Sequence, residues 1–225
     1  MFSRLWLILL LGMHVSLMGG AVEIGEDLPS SGEETDVEIV IDPISNVLTV
    51  YIDGHVYKRY PIALGTDETP TPIGDYVIIS KYKNWAPWFG TRWLGLNVPW
   101  GIYGIHGTNR PDSIGKDASH GCIRMLNRDV EELFEIVEIG TKVSILGHVL
   151  GEPEKEPRRL AKGHIGADVM LVQNRLKAMK YYDGPVNGKF GELTELAMKR
   201  FERELGLQVD GVVGLKDYMA LGLIE

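Results

Sequence analysis

A chain of 225 residues has room for one ordinary domain and a small companion. Hydrophobic residues make up 44% and charged ones 24%, near the soluble globular average, which excludes wholesale disorder and a polytopic membrane protein. Lys and Arg number 23 against 31 Asp and Glu, a formal charge of −8, which argues against nucleic acid as the main partner.

The excess acid is local. Residues 23–42 hold eight acids, from Glu23 to Asp42, and no base, while the rest is neutral to within a charge or two. Ahead of them, residues 1–20 combine Arg4, the apolar run Leu5 to Leu11 and a tail of small residues, the pattern of a signal peptide. The run falls short of the ~20 residues a bilayer span needs. The expectation is an exported protein of the cell wall, periplasm or extracellular space, touching the membrane only transiently through this segment. Residues 21–36 read as an acidic flexible linker, too poor in apolar side chains to order themselves.

Residues 37–148 are β-rich. Val37 to Ile41 and Val47 to Ile52 are β-branched runs, and Asp53-Gly54 before His55 to Tyr60 signals a hairpin. Thr69-Pro-Thr-Pro-Ile-Gly-Asp75 resists both helix and ladder, and Tyr76 to Ser80 resumes a strand. Trp85, Trp88, Trp93 and Trp100 crowd an irregular stretch, either packed on the sheet or forming a substrate-lining flap. Asn127 reads as the N-cap of a short helix over Val130 to Val137, closed by Gly140 before a last strand, Lys142 to Leu146. The fold class expected is mainly β with one short helix.

Within this region lie His106-Gly107 and Ser119-His-Gly-Cys-Ile-Arg-Met125. Cys122 is the only cysteine, which rules out an intrachain disulfide. In extended chain His120 and Cys122 share a face, and His106 can arrive from a neighbouring strand. An imidazole in reach of a thiol near pKa 8.5 can take its proton and create a thiolate–imidazolium pair, the minimum for acyl transfer. With no Asp or Asn at a fixed spacing, a backbone carbonyl beside His106 would orient the base. Backbone N–H groups around Cys122, with Arg124 or His120 nearby, could meet an oxyanion. Two other readings remain open at this point: a zinc hydrolase ligated by His106, His120 and Cys122, and a non-catalytic binding protein.

Residues 149–161, with two prolines among alternating charges, read as a linker. Residues 162–225 read as three helices, about Ala167 to Met179, Glu192 to Leu205 and Leu215 to Leu223. Two similar loops, Val186-Asn-Gly-Lys-Phe-Gly191 and Val209-Asp-Gly-Val-Val-Gly214, each lead into a helix.

The Ser119 to Met125 run with upstream His106-Gly107, and Thr69 to Tyr76, closely resemble the motifs of the YkuD-type L,D-transpeptidases. The resemblance implies a β-sandwich with Cys122 as nucleophile and His106 as general acid/base, oriented by the carbonyl of Gly107. Ser119, His120, Gly121 and Arg124 would shape the pocket and oxyanion site. It further implies a thioester made from tetrapeptide stems of peptidoglycan and passed to an amine as a 3→3 cross-link, or to water, which would make an L,D-carboxypeptidase. A carbapenem would be a covalent inhibitor, and no metal or organic cofactor is required. The C-terminal region, with Asp168-Val169, Val172-Gln173, Tyr181-Tyr182-x-Gly184 and Asp210-Gly211-x-x-Gly214, resembles the peptidoglycan-binding module PG_binding_1. It departs at Glu202, where Gln is common, and at Asp217-Tyr218. That resemblance implies stem peptides and glycan as partners.

Overall fold

The structure, a computed structural model, describes residues 35–225. The expected signal peptide and nearly all of the acidic linker lie outside the described residues.

Period-two burial sets the first strands. In β1 (Val37–Asp42) Ile39 and Ile41 are buried, and in β2 (Val47–Ile52) Leu48 and Val50 are. β1 pairs antiparallel with β2, and β2 with β3 (His55–Pro61). Asp53 at φ 50° and Gly54 at φ 75° supply the two left-handed residues of a tight hairpin turn. Next come β4 (Leu64–Gly65), β5 (Gly74–Lys83), β6 (Arg92–Leu96), β7 (Tyr103–His106), β8 (Asp117–Ser119), β9 (Ile123–Arg124), α1 (Asn127–Ile136) and β10 (Lys142–Ile145). Eight strands form one sheet in the order β3-β2-β1-β10-β5-β6-β7-β9, while β4 and β8 make a small parallel pair.

The ten-residue strand β5 joins two halves. Its residues 74–77 pair with β10 and its residues 78–83 with β6, with a register shift between Ile78 and Ser80. An extra residue in one strand bends it and deepens its twist. The sheet curls there, so that Ile39, Ile41 and Leu48 from one half and Leu94, Ile105 and Ile123 from the other share one core. Burying each such side chain stabilises the fold by roughly 1.5–3 kcal/mol. The sandwich implied by resemblance is thus a single sheet folded over itself, mainly β with a short helix.

Some local expectations shift. β5 begins at Gly74, because only Pro70 and Pro72 obstruct the ladder. A true strand, β6, runs through the tryptophan-rich stretch, where four consecutive residues, Trp93 to Leu96, are buried. A strand covered on both faces shows no alternation, so the sequence pattern hid it. Helix α1 starts at Asn127 with Leu126 as its N-cap residue, and no side chain caps it.

The C-terminal module holds α2 (Ala167–Ala178), α3 (Glu192–Leu205) and α4 (Leu215–Ala220) around Val169, Val172, Leu176, Phe190, Met198, Phe201 and Tyr218. Gly206, left-handed at φ 68°, closes α3 as expected. α4 stops short of Leu223, with Leu221 as its C-cap and Gly222 beyond it at φ 65°. Leu160, expected in the linker, is fully buried in this core and bridges Val213, while Arg158 Nε lies 2.5 Å from Asp168 Oδ2. The module therefore starts at about Arg158, since an apolar side chain beside two bases still found a core.

The two similar loops are stapled alike. Fully buried Gln173 accepts the N–H groups of Asn187 (3.0 Å) and Gly188 (2.9 Å), and donates to Lys189 O and Thr194 Oγ1. Fully buried Glu202 accepts the Gly211 N–H at 2.9 and 3.1 Å. Burial pushes the Glu202 carboxyl up, the Gly211 amide opposes this, and Asp217 and Asp210 add to the rise. A folded pKa above the unfolded one means that ionised Glu202 weakens folding at neutral pH, and that this loss is recovered as pH falls through the folded value. Glu202→Gln should therefore be more stable than wild type in urea unfolding at pH 7, with the difference shrinking toward pH 4.

Candidate active site

Strands β7 and β9 lie parallel, with Ile105 opposite Ile123 and His106 opposite Arg124. Alternation sends the two isoleucines into the core and puts His106, Arg124 and Cys122 on the other face. The curled sheet thus places the strand that ends at His106 beside the one that follows Cys122.

His106 is only 3% exposed. Trp93, its cross-strand partner on β6, stacks on the ring at 5.7 Å between centroids, and Phe89 meets it edge-on at 4.8 Å. Nδ1 lies 2.6 Å from the Gly107 carbonyl oxygen. A carbonyl can only accept, so Nδ1 carries the proton and Nε2 keeps its lone pair. Burial pushes the imidazole down to about 4, the carbonyls of Gly107 and Phe89 resist, and the Arg124 charge adds to the fall. Burial also raises the Cys122 thiol, opposed by the Gly104 amide and Arg124. Both shifts disfavour a preformed thiolate–imidazolium pair in the resting site. Among the described residues no hydrogen bond joins Cys122 to His106. Such contacts often tighten only in the substrate complex.

The turn that carries Cys122 is braced from within. Ser119 Oγ, 1% exposed, donates to Cys122 O at 2.6 Å and accepts the Gly121 N–H at 3.0 Å. The Gly121 amide is thereby spent inside the turn, which removes it from the oxyanion donors. Gly121 sits at φ 102°, and a methyl group there would lie 2.7 Å from Tyr103 Cε1. Below the turn, Thr69 Oγ1 and the Thr66 N–H both donate to Ser119 O at 3.2 Å, and Gly65 N–H donates to Thr71 Oγ1. The proline-rich element thus supports the cysteine loop. Arg124 donates to Ala118 O at 3.0 Å, and its charge acts on both Cys122 and His106. His120 is exposed. Among the described residues no three His, Cys, Asp or Glu side chains converge as metal ligands, so the zinc reading lacks its ligand set.

Asn127, expected as a helix cap, does something else. Its Oδ1 accepts the Thr91 N–H at 3.3 Å, and methyl groups added to Gly90 or Gly107 would lie 2.2 or 2.1 Å from that oxygen. It ties the Phe89 loop to the segment that orients His106. Sequence reasoning missed this, as it missed Phe89 and Trp93, for which only the local density of aromatics gave a signal. Trp85 stacks on Phe89 at 5.1 Å, while Trp88 remains 70% exposed at the rim.

A histidine held neutral withholds a proton that the unfolded chain binds below its pKa near 6.5. Stability from His106 is therefore present above pH 6.5 and lost as pH falls toward about 4, to the extent of about 3 kcal/mol. His106→Gln should flatten that part of the stability–pH curve, read by urea unfolding between pH 4 and 7. The raised thiol makes a second expectation: alkylation of native Cys122 by iodoacetamide should gain rate only above the ordinary thiol range near pH 8.5, followed by intact mass.

Residues 36–145 match the YkuD family, described as the L,D-transpeptidase catalytic domain, and residues 165–221 match PG_binding_1, a "Putative peptidoglycan binding domain". The chain is similar to the "Putative L,D-transpeptidase YkuD" of Bacillus licheniformis, 43% identical over 140 residues, covering 60% of this chain and 84% of that protein. Its likeness to the Bacillus subtilis protein of the same name is 50% over 101 residues, covering 45% of this chain and 60% of the relative. Among solved structures, L,D-transpeptidase 3 of Mycobacterium tuberculosis aligns with a TM-score of 0.46 at 21% identity, over 50% of this chain and 62% of that one.

Proposed function

Since the chain belongs to the YkuD family of L,D-transpeptidases, we propose that it is an exported enzyme that forms 3→3 cross-links in peptidoglycan through a thioester on Cys122. The observation that supports this reading is His106 at the end of the strand beside the one that follows the lone cysteine, its Nδ1 proton held by the Gly107 carbonyl.

The donor is a tetrapeptide stem. As the carbonyl of its third residue reaches Cys122, the thiol proton passes to His106 Nε2 and sulfur attacks carbon. An imidazolium is costly in this pocket, so it forms only when paired with the developing negative charge. Arg124 stands near enough for its field to favour the oxyanion. Collapse expels terminal D-Ala as an amine, which takes the proton from Nε2 and leaves the thioester. A side-chain amine of a neighbouring stem then attacks, gives its proton to Nε2 and receives the acyl group, and the proton returns to sulfur. Water in place of the amine would yield a tripeptide. The same thiol would open a carbapenem ring to a stable acyl adduct. The C-terminal module would hold the enzyme on the polymer and raise the effective concentration of stems.

Mixing the mature protein with disaccharide-tetrapeptide should give a Cys122 acyl adduct by intact mass, free D-Ala and a 3→3 dimer. Cys122→Ala should lose at least about 10³-fold in D-Ala release. Tripeptide without dimer would assign water as acceptor, and turnover undiminished in Cys122→Ala would overturn the proposal.

A further inference from the structure

The C-terminal module does not hang free of the β-domain. Ala167 and Met170 of α2 pack against the β-domain core, and the Gly188 loop lies on Trp100. Gly188 sits at φ 66°, and a methyl group there would lie 2.4 Å from Trp100 Cε3 and 2.8 Å from Gly166 O. Trp100, 6% exposed, meets buried Tyr76 edge-on at 6.4 Å. Three residues on, the Tyr103 ring packs on Gly101 and against Gly121, where a methyl group would come within 2.7 Å of it on either side. Gly121 immediately precedes Cys122. An unbroken run of close contacts therefore leads from a loop of the wall-binding module to the turn that presents the nucleophile.

From this path we infer that Trp100 is a positioning residue through which the seated C-terminal module sets the placement of Cys122. With the module seated, Trp100 is enclosed and the 97–103 segment has one arrangement against Gly121. With it displaced, one face of the indole opens to water and the turn loses its backing. A small misplacement far from the chemistry can cost about 10²-fold in rate. The inference deepens the proposed function and rests on Cys122 as nucleophile.

The internal repeat supplies a matched control. Gly188 and Gly211 occupy equivalent loops, each stapled by a buried side chain, at φ 66° and 75°. An alanine strains either backbone alike. For a methyl group on Gly211, however, the nearest atoms are side-chain carbons of Lys199 and Glu195 within the module, at 2.8 to 3.1 Å. Full-length mature wild type, Gly188→Ala and Gly211→Ala would be compared by the pH profile of Cys122 alkylation and by acylation with disaccharide-tetrapeptide. Gly188→Ala should shift the alkylation profile and slow acylation about tenfold in kcat with little change in KM, while Gly211→Ala tracks wild type. Trp100→Ala should reproduce the Gly188→Ala profile, with Trp100→Phe recovering most of the difference. Profiles of Gly188→Ala and Trp100→Ala that match wild type would overturn the inference, and so would equal losses in the two glycine variants. Because alkylation needs no stem peptide, a wild type that alkylates without acylating would sink the nucleophile reading and leave this comparison standing on its own.

Discussion

The contact on which the site depends is the 2.6 Å bond from His106 Nδ1 to the carbonyl of Gly107. It fixes the tautomer and the ring plane without any carboxylate, so the imidazole receives no fixed negative charge to steady it as a cation. Phe89 and Trp93 then strip it of water, and the pocket favours a neutral base. A carboxylate partner would have traded this for a resting ion pair. What the surrounding fold supplies is rigidity: Asn127 anchors the Phe89 loop, Ser119 closes the cysteine turn, and β7 beside β9 sets the spacing between them.

Reactivity is thereby separated from charge. A thiol and an imidazole whose surroundings both favour the neutral form are quiet toward stray electrophiles and oxidants. In the proposed reaction the pair would become reactive only as a substrate carbonyl arrives to accept the charge that leaves sulfur.

Much of this was legible in the residues. The hairpin at Asp53-Gly54 and the helix ended by Gly206 follow from local chemistry, left-handed φ and capping. The family resemblance at Ser119 to Met125 supplied the reaction class. What stayed hidden depends on contacts distant in sequence. Asn127 looks like a cap because its neighbours on the chain are helical, yet its partners are Gly90, Thr91 and Gly107. Strand β6 hides because tertiary burial covers both its faces. Leu160 hides in linker composition because one apolar residue cannot announce the core it will join. Spacing says which groups can meet and says nothing of how dry they are.

The place of β10 in the sheet has a consequence for how the molecule is made. This last strand of the β-domain lies between β1, the first, and β5, near the middle of the sheet. Until residue 145 is available, β1 presents an open hydrogen-bonding edge and the two halves of the sheet have no seam. Such distant pairing slows folding, and an unpaired edge invites association with other chains. A nascent chain of this topology cannot complete itself piecemeal from its N-terminus.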